Sequence, residues 1–344
     1  MNLATATDFL LQAEALLDAR ELQPALELFY RAEVLGEDED RCAAGRWVAH
    51  MLAGDFGSAW KESDAIRSRG NSDPHRYWQG ESIARKRVVV RCLHGLGDTV
   101  QFIRYADLLE MSAASVVWEV QPGLVELASC FAGVRKVTTW GLERTQWDVQ
   151  VEVMELPYIF QTDLAELPIA SNYLQLPAET DPAFASGDGP RIGVVWSAGE
   201  WNLSRSMPLH LILPLLARWD CEFWNLQGGP VRKAWTELEC PRLRDIPACD
   251  AGVFSMARVI SQLDLVITVD TLAAHLAGAL GVPAWIMLGH SADWRWMIDR
   301  TDSPWYPSVR LFRQPSPGDW ISVVASVVES LNEWVARAQR RWAA

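Results

Sequence analysis

The chain has 344 residues, 49% of them hydrophobic and 22% charged, with a formal net charge of −13 and a pI near 5.0. This length has room for two or three domains with ample core, and the composition is that of a globular rather than a disordered chain. The acidic balance argues against broad nucleic-acid or anionic-membrane binding, leaving only a local basic pocket as a site for an anion. Met1 to Asp8 lacks the basic and apolar regions of a secretory signal, so the sequence predicts a cytoplasmic protein. The six cysteines, Cys42, Cys92, Cys130, Cys221, Cys240 and Cys249, form no Cys-x-x-Cys pair and are expected to be thiols. Cys240 and Cys249 lie closest together, around two prolines, and make only a weak case for a metal site.

Residues 7–70 read as helix throughout, with no strand-like alternation. A shift of 34 residues lays Glu21 on Asp55, Leu22 on Phe56, Ala25 on Ala59, Leu26 on Trp60 and Gly36 on Gly70. That period, with alanine at the close helix crossing and glycine at the end, looks like the tetratricopeptide repeat; a generic helical cap is the alternative. Such repeats form surfaces that hold a peptide or another subunit. Two repeats are fewer than stand alone, so the segment is expected to dock on the domain that follows. After a polar connector over 71–87, residues 88–93 form a buried strand ending in His94, Gly95, Leu96, Gly97, Asp98 and Thr99, and a helix carries Phe102, Ile103, Tyr105 and Ala106. Strand, glycine turn and helix open a doubly wound domain. The third glycine and the ribose-binding acid of the dinucleotide fingerprint are missing, which sets a dehydrogenase aside. Asp98 reads on this evidence as either a helix cap or a functional carboxylate.

Strands are predicted over 116–120, 134–139 and 148–153, with a helix over 121–131. Gly187, Asp188, Gly189 and Pro190 mark a linker. A second strand-first block begins at 191–196, followed by a polar loop over 197–206, a helix over 209–218, strands over 222–227 and 242–246, and a helix over 254–262. Then a β-branched run over 265–269 meets Asp270 and Thr271, a small-residue helix carries His275, and Gly281 and Pro283 stop it before a strand over 284–288. The apolar stretch 271–288 is interrupted by His275 and by the Gly281–Pro283 break, so neither piece spans a membrane. Parallel sheets bind ligands beyond the carboxyl ends of their strands, and helix N-termini suit phosphate, so Asp270 to His275 is expected to face a phosphorylated ligand. Two such halves joined by a linker imply a cleft between them.

Gly95 to Phe102, Arg205 to Leu209 and Asp270 to Ala277 together resemble glycosyltransferase family 9, the heptosyltransferase-like enzymes. The tail from Asp293, Trp294, Arg295 and Trp296 through Trp305, Tyr306 and Pro307 to Gly318, Asp319 and Trp320 is similar to its bacterial subgroup with preceding tetratricopeptide repeats. The resemblance covers nearly the whole chain. It implies an α/β protein of GT-B type, two Rossmann-like domains facing a cleft and preceded by an α-helical tetratricopeptide-like segment. The expected bounds are 1–72 for the helical segment, 86–180 for the acceptor domain, 190–320 for the donor domain, and 321–344 for a helix packing back across the domains.

The resemblance further implies metal-independent, inverting transfer of a sugar from a nucleotide-diphospho sugar to a hydroxyl of a protein or glycan, with no cofactor. Asp98 matches the base that takes the hydroxyl proton. Arg205, Gln227, Asp270, Thr271, Leu272, Ala273 and His275 match the donor side, where helix N–H groups and a guanidinium stabilise the leaving diphosphate. Gly95, Gly97, Thr99 and Gln101 fall on the acceptor side. His275 reads equally as a helix-packing histidine. Trp294, Trp296, Trp305 and Trp320 read as core of the C-terminal lobe or as a wall of the donor site, and Arg295, Arg300, Arg310 and Arg313 as a basic rim or as surface ion pairs. The loop from Trp196 to Asn202 lacks the Gly-Asn pair of the subgroup, and Glu200 adds negative charge there. Two rivals follow: a catalytically inactive repeat scaffold that binds a nucleotide sugar or a protein partner, and an epimerase of the same fold, for which no second acid–base group is in sight.

Overall fold

The computed structural model describes residues 4–70, 78–141, 146–168, 172–178, 189–238, 242–246 and 251–342. The connector 71–77, most of the linker before Gly189, Cys240 and Cys249 lie outside the described residues, as do the side chains of Glu200 and Trp201.

Four helices come first: α1 (Ala6–Asp18), α2 (Leu22–Val34), α3 (Glu39–Ala53) and α4 (Phe56–Ser68). Thr5 and Asp8 form a capping box on α1, and Asp38 and Asp55 cap α3 and α4. The bounds of α2 and α4 are offset by the period seen in the sequence. Their preceding residues, Glu21 and Asp55, share one backbone conformation (φ −85°, ψ 71° and φ −87°, ψ 72°). Ala25 and Ala59 are fully buried at the helix crossings. Inside the segment, the buried Arg46 donates two hydrogen bonds to Glu62, both 2.8 Å, and one to Glu33 at 2.5 Å.

The first sheet holds β1 (Arg87–Arg91), β2 (Ser115–Val120), β3 (Val137–Thr139) and β4 (Val149–Glu152), all parallel, in the order β3-β2-β1-β4. Helix α5 (Leu96–Phe102) follows β1 and continues through a 3-10 turn into α6 (Ala106–Ser112). The helix expected over 121–131 is only a 3-10 turn at Pro122–Leu124 and the short α7 (Val125–Ala128), before the bridge Phe131 makes with Leu174. Helix α8 (Leu156–Ile159) completes this half.

The second sheet holds β5 (Arg191–Val195), β6 (Glu222–Asn225), β7 (Leu243–Asp245), β8 (Leu265–Val269), β9 (Ala284–Leu288) and β10 (Val309–Arg313), also all parallel. Counted from its own first strand, its order is that of the dinucleotide-binding sheet, 3-2-1-4-5-6. In both sheets the strand order reverses beside the first strand, between β1 and β4 and between β5 and β8, where open α/β sheets bind ligands. Pro214 divides the helix expected over 209–218 into a 3-10 turn and α9 (Leu213–Leu216). Strand β10 is missing from the sequence expectation because Arg310 and Arg313 interrupt its buried Val309, Leu311 and Phe312. Helices α10 (Val253–Ile260) and α11 (Leu272–Leu280) cross between strands.

Helix α12 (Trp320–Trp342) buries Val323, Val324, Val327, Leu331 and Val335 in one cluster with Ile192, Ile267, Trp285 and Phe312. It thus closes the core of the C-terminal sheet, where the sequence reading placed it back across both domains. The apolar stripe is matched by the face of that sheet opposite α11, which α12 covers at β9 and β10.

The helical segment does dock. One continuous core runs from Met51, Phe56 and Trp60 through Phe102 and Tyr105 to Trp296 and Trp305. The indole of Trp60 donates to the Thr162 carbonyl (2.8 Å), Arg20 donates to the Ala292 carbonyl (2.7 Å), and the Ile298 amide donates to Leu52 (3.1 Å).

Candidate active site

A cavity of about 740 Å³ lies between the two sheets, at the carboxyl ends of their strands. One wall comes from the turn after β1 and the first turn of α5: His94, Gly95, Leu96, Gly97 and Asp98. The other comes from Arg205, Gln227, and the junction of β8 with α11, namely Asp270, Thr271, Leu272, Ala273 and His275. These two motifs, about 170 residues apart in sequence, therefore face one space.

Thr99 and Gln101 do not line it. Only the first turn of α5 reaches the cleft; the helix then runs beneath the wall, leaving both side chains 1% exposed. The Thr99 hydroxyl donates to Gln121 (3.0 Å), whose amide donates to the His94 carbonyl (2.9 Å), so Thr99 steadies the turn from behind. Neither amide atom of Gln101 has a hydrogen-bond partner among the described residues. Gly97 is there because α5 packs on α11: a Cβ at this position would lie 2.7 Å from the His275 ring.

Gln227 lines the cavity but is fully engaged. Its oxygen accepts from the amides of Trp196 (3.2 Å) and Ser197 (2.9 Å), and its nitrogen donates to the carbonyls of Ser197 (3.1 Å) and Gly228 (3.0 Å). It holds the loop after β5 in shape, using all its capacity on protein. Thr271 precedes α11, and its hydroxyl pairs with Thr268 (2.9 Å) instead of capping the helix. The first amides of α11 are thus left without a side-chain cap at the cavity wall, the arrangement that attracts an anion.

The charged groups of the cleft pair with one another. Arg205 donates to Asp270 (3.1 Å). Burial pushes the Asp270 pKa up, with Arg205 working against it. On the opposite wall, the Gly95 amide donates to Asp98 Oδ2 (2.9 Å), a capping contact. Asp98 Oδ1 accepts from Arg295 Nη2 at 2.5 Å, across 197 residues of sequence. Arg295 is therefore neither a rim residue nor a surface ion pair: it is 7% exposed, lines the cavity, and also donates to Asp293 (2.8 Å). Burial works against its charge, but Asp293 and Asp98 outweigh that and raise its pKa. Asp293 responds in turn: burial opposes its ionisation, yet Arg295 holds it below the ordinary carboxylate value.

His275 is 6% exposed, stacks on Trp296 (centroids 5.6 Å apart) and shares a 2.9 Å hydrogen bond with the Tyr306 hydroxyl. Burial and then Arg295 push its pKa down to about 3, so at neutral pH it is an uncharged imidazole. Sequence reading missed Glu152, at the end of β4 beside the switch point. Burial pushes its pKa up to about 7, although the amides of Met154 (2.6 Å) and Leu93 (3.4 Å) both donate to it. His94 stands 4.0 Å away. The only available signal was a carboxylate ending an apolar strand.

The four tail tryptophans pack in or against the core and none lines the cleft cavity. Trp296, Trp305 and Trp320 are buried, and Trp294 packs among Trp47, Phe56, Phe102 and Trp305. Among the described residues no helix is long and apolar enough to cross a membrane.

No known protein-family model matches the chain. It is 24% identical, across an alignment 376 positions long, to Protein FlbA of Caulobacter vibrioides, covering 94% of this chain and 61% of that protein. The chain thus spans less than two thirds of the length of this relative. Among solved structures it is similar to ADP-heptose LPS heptosyltransferase II of E. coli (TM-score 0.51, 13% identity, covering 74% of this chain and 99% of that one). A glycosyl transferase of family 9 from Veillonella parvula aligns over the same shares, 74% and 99%, at TM-score 0.49 and 13% identity. With its two parallel sheets facing one cleft, the chain shares the α/β fold of heptosyltransferase II.

Proposed function

We propose that the protein is an inverting glycosyltransferase of the heptosyltransferase-like family 9, using a nucleotide-diphospho sugar and needing no metal. The observation that carries this reading is the facing of two walls across one cavity: a carboxylate, Asp98, on one, and an uncapped helix N-terminus flanked by Arg205 on the other. The donor diphosphate would sit at Thr271, Leu272 and Ala273, where fixed backbone dipoles and Arg205 stabilise the charge that builds on the leaving group. The apolar side chains Val195, Leu226, Val231 and Met256 line the same cavity and offer a surface for the nucleoside. Asp98 takes the proton of the acceptor hydroxyl as its oxygen attacks the anomeric carbon and the bond to the diphosphate breaks. Neutral His275 is suited to holding α11 and Trp296 in register more than to carrying charge. ADP-heptose, for which the fold neighbour is named, is the first donor to try.

The helical segment is read as two tetratricopeptide-like repeats, supported by the matched bounds of α2 and α4. It points to a protein or peptide acceptor, and the cleft to domains near 86–180 and 190–320. The inactive-scaffold reading has one observation in its favour: both oxygens of Asp98 already accept a hydrogen bond.

One experiment separates these. Donor turnover, measured as nucleoside diphosphate release, is expected to fall about 10²–10⁴-fold in Asp98→Asn while the protein still binds the nucleotide. Equal turnover removes Asp98 from the chemistry, and nucleotide binding without turnover in the wild type selects the scaffold.

A further inference from the structure

We propose that Arg295 is a donor-responsive latch on Asp98, a diphosphate ligand that caps this carboxylate until the donor arrives. This rests on the reading of the cleft as a nucleotide-diphospho sugar site.

Three carboxylates, Asp98, Asp270 and Asp293, face two guanidiniums, Arg205 and Arg295, in the cavity, with His275 uncharged. A diphosphate entering this acidic set must take over at least one guanidinium already committed to a carboxylate. Arg295 is built for the exchange. Its Nη1 and its backbone amide both donate to Asp293 (2.8 and 3.0 Å), which anchors the residue locally. Its Nη2 alone reaches across to Asp98. Its Nε is buried with no hydrogen-bond partner among the described residues, an unspent donor on a side chain that lines the cavity. The guanidinium lies over the rings of Trp294 (4.9 Å) and Phe102 (5.6 Å), flat surfaces on which a planar cation keeps favourable contact as it shifts. A diphosphate presents paired oxygens to such a fork and satisfies Nε as well. The guanidinium then swings from Asp98 to the donor, and Asp98 is uncovered only in the presence of the molecule whose transfer it assists. The consequence is ordered binding, donor before acceptor.

The test is a double-mutant cycle on the full chain, with dissociation constants for ADP, UDP, GDP and dTDP measured by titration calorimetry. Asp98→Asn is expected to tighten the bound nucleotide at least about threefold, because Arg295 no longer has to leave a partner. Arg295→Gln is expected to weaken it about tenfold, and Arg295→Lys to recover part of that. In the Arg295→Gln background, Asp98→Asn is expected to change nothing. If Asp98→Asn tightens binding equally in both backgrounds, the effect is repulsion of phosphate by a carboxylate, and the latch is wrong. If it leaves the wild-type value unchanged or weakens it, the latch is also wrong, while the donor site stands. If none of the four nucleotides binds the wild type, the donor-site reading itself falls, and the latch with it.

Discussion

Two buried groups flanking the cleft make opposite demands on pH. His275, with its pKa pushed from 6.5 to about 3 by burial and by Arg295, binds a proton in the unfolded chain but not in the folded one between those values. Its contribution to stability is present above pH 6.5 and is lost as pH falls. Glu152, pushed from 4.5 to about 7 by burial, does the reverse: its contribution is present below pH 4.5 and is lost as pH rises through 7. Between pH 4.5 and 6.5 the two slopes, each about 1.4 kcal/mol per pH unit, oppose each other. The wild type is therefore expected to show little net dependence from this pair. In Glu152→Gln the His275 term is uncovered, and urea unfolding should show stability dropping, relative to wild type, by about 1.4 kcal/mol per unit on acidification from 6.5 to 4.5. A difference that stays constant over that range would mean that Glu152 titrates normally.

At the scale of elements, the contact of α5 with α11 decides how the two walls meet. These helices start the walls of the cleft, and their first turns approach because Gly97 presents no side chain to His275. The imidazole has nowhere to go, being stacked on Trp296 and bonded to Tyr306. Gly97→Ala is therefore expected to act as overpacking and to cost about 1–3 kcal/mol in thermal unfolding, despite the better helix propensity of alanine. A stabilised variant would show that the helices separate freely. Arg104 ties the same contact further along: it donates to the Trp305 carbonyl (2.8 Å), and its guanidinium lies 4.9 Å over Tyr306.

At the scale of the whole molecule, the helical segment is a brace rather than an appendage. The loop carrying Asp293 and Arg295 is held by Arg20 and Leu52 of the segment, and Trp294 inserts between Trp47 and Phe56 on one side and Phe102 on the other. The segment thus fixes the loop whose arginine reaches the cleft. Trp294→Ala is expected to cost about 3 kcal/mol and to divide one cooperative unfolding transition into two, with the four helices melting first by circular dichroism. A single transition at the wild-type midpoint would show that the docking does not depend on this indole.

Much of the architecture was legible in sequence because it follows from local rules. β-branched runs ending at polar turns located the strands beside the cleft, and the repeated alanines and glycines of residues 21–70 located the helical hairpins. The wall residues Gly95, Gly97, Asp98, Asp270 to Ala273 and His275 were legible because turns beyond strand ends face the ligand crevice of a parallel sheet. Local rules also misjudged what neighbours decide. Thr99 and Gln101 follow Asp98 in sequence, but the direction of α5 takes them under the wall. Gln227 ends a strand at the cleft, yet it is spent on the loop after β5. Arg295 reads as one arginine among several, and the Asp293 carboxylate together with the packing of Trp294 aims it at Asp98. The sequence by itself determined the strand–turn–helix units and their small residues, since these depend on neighbours a few positions away. Tertiary structure alone decided which charges pair, because a 2.5 Å contact between residues 197 positions apart is set by the docking of domains and leaves no periodic trace in the chain.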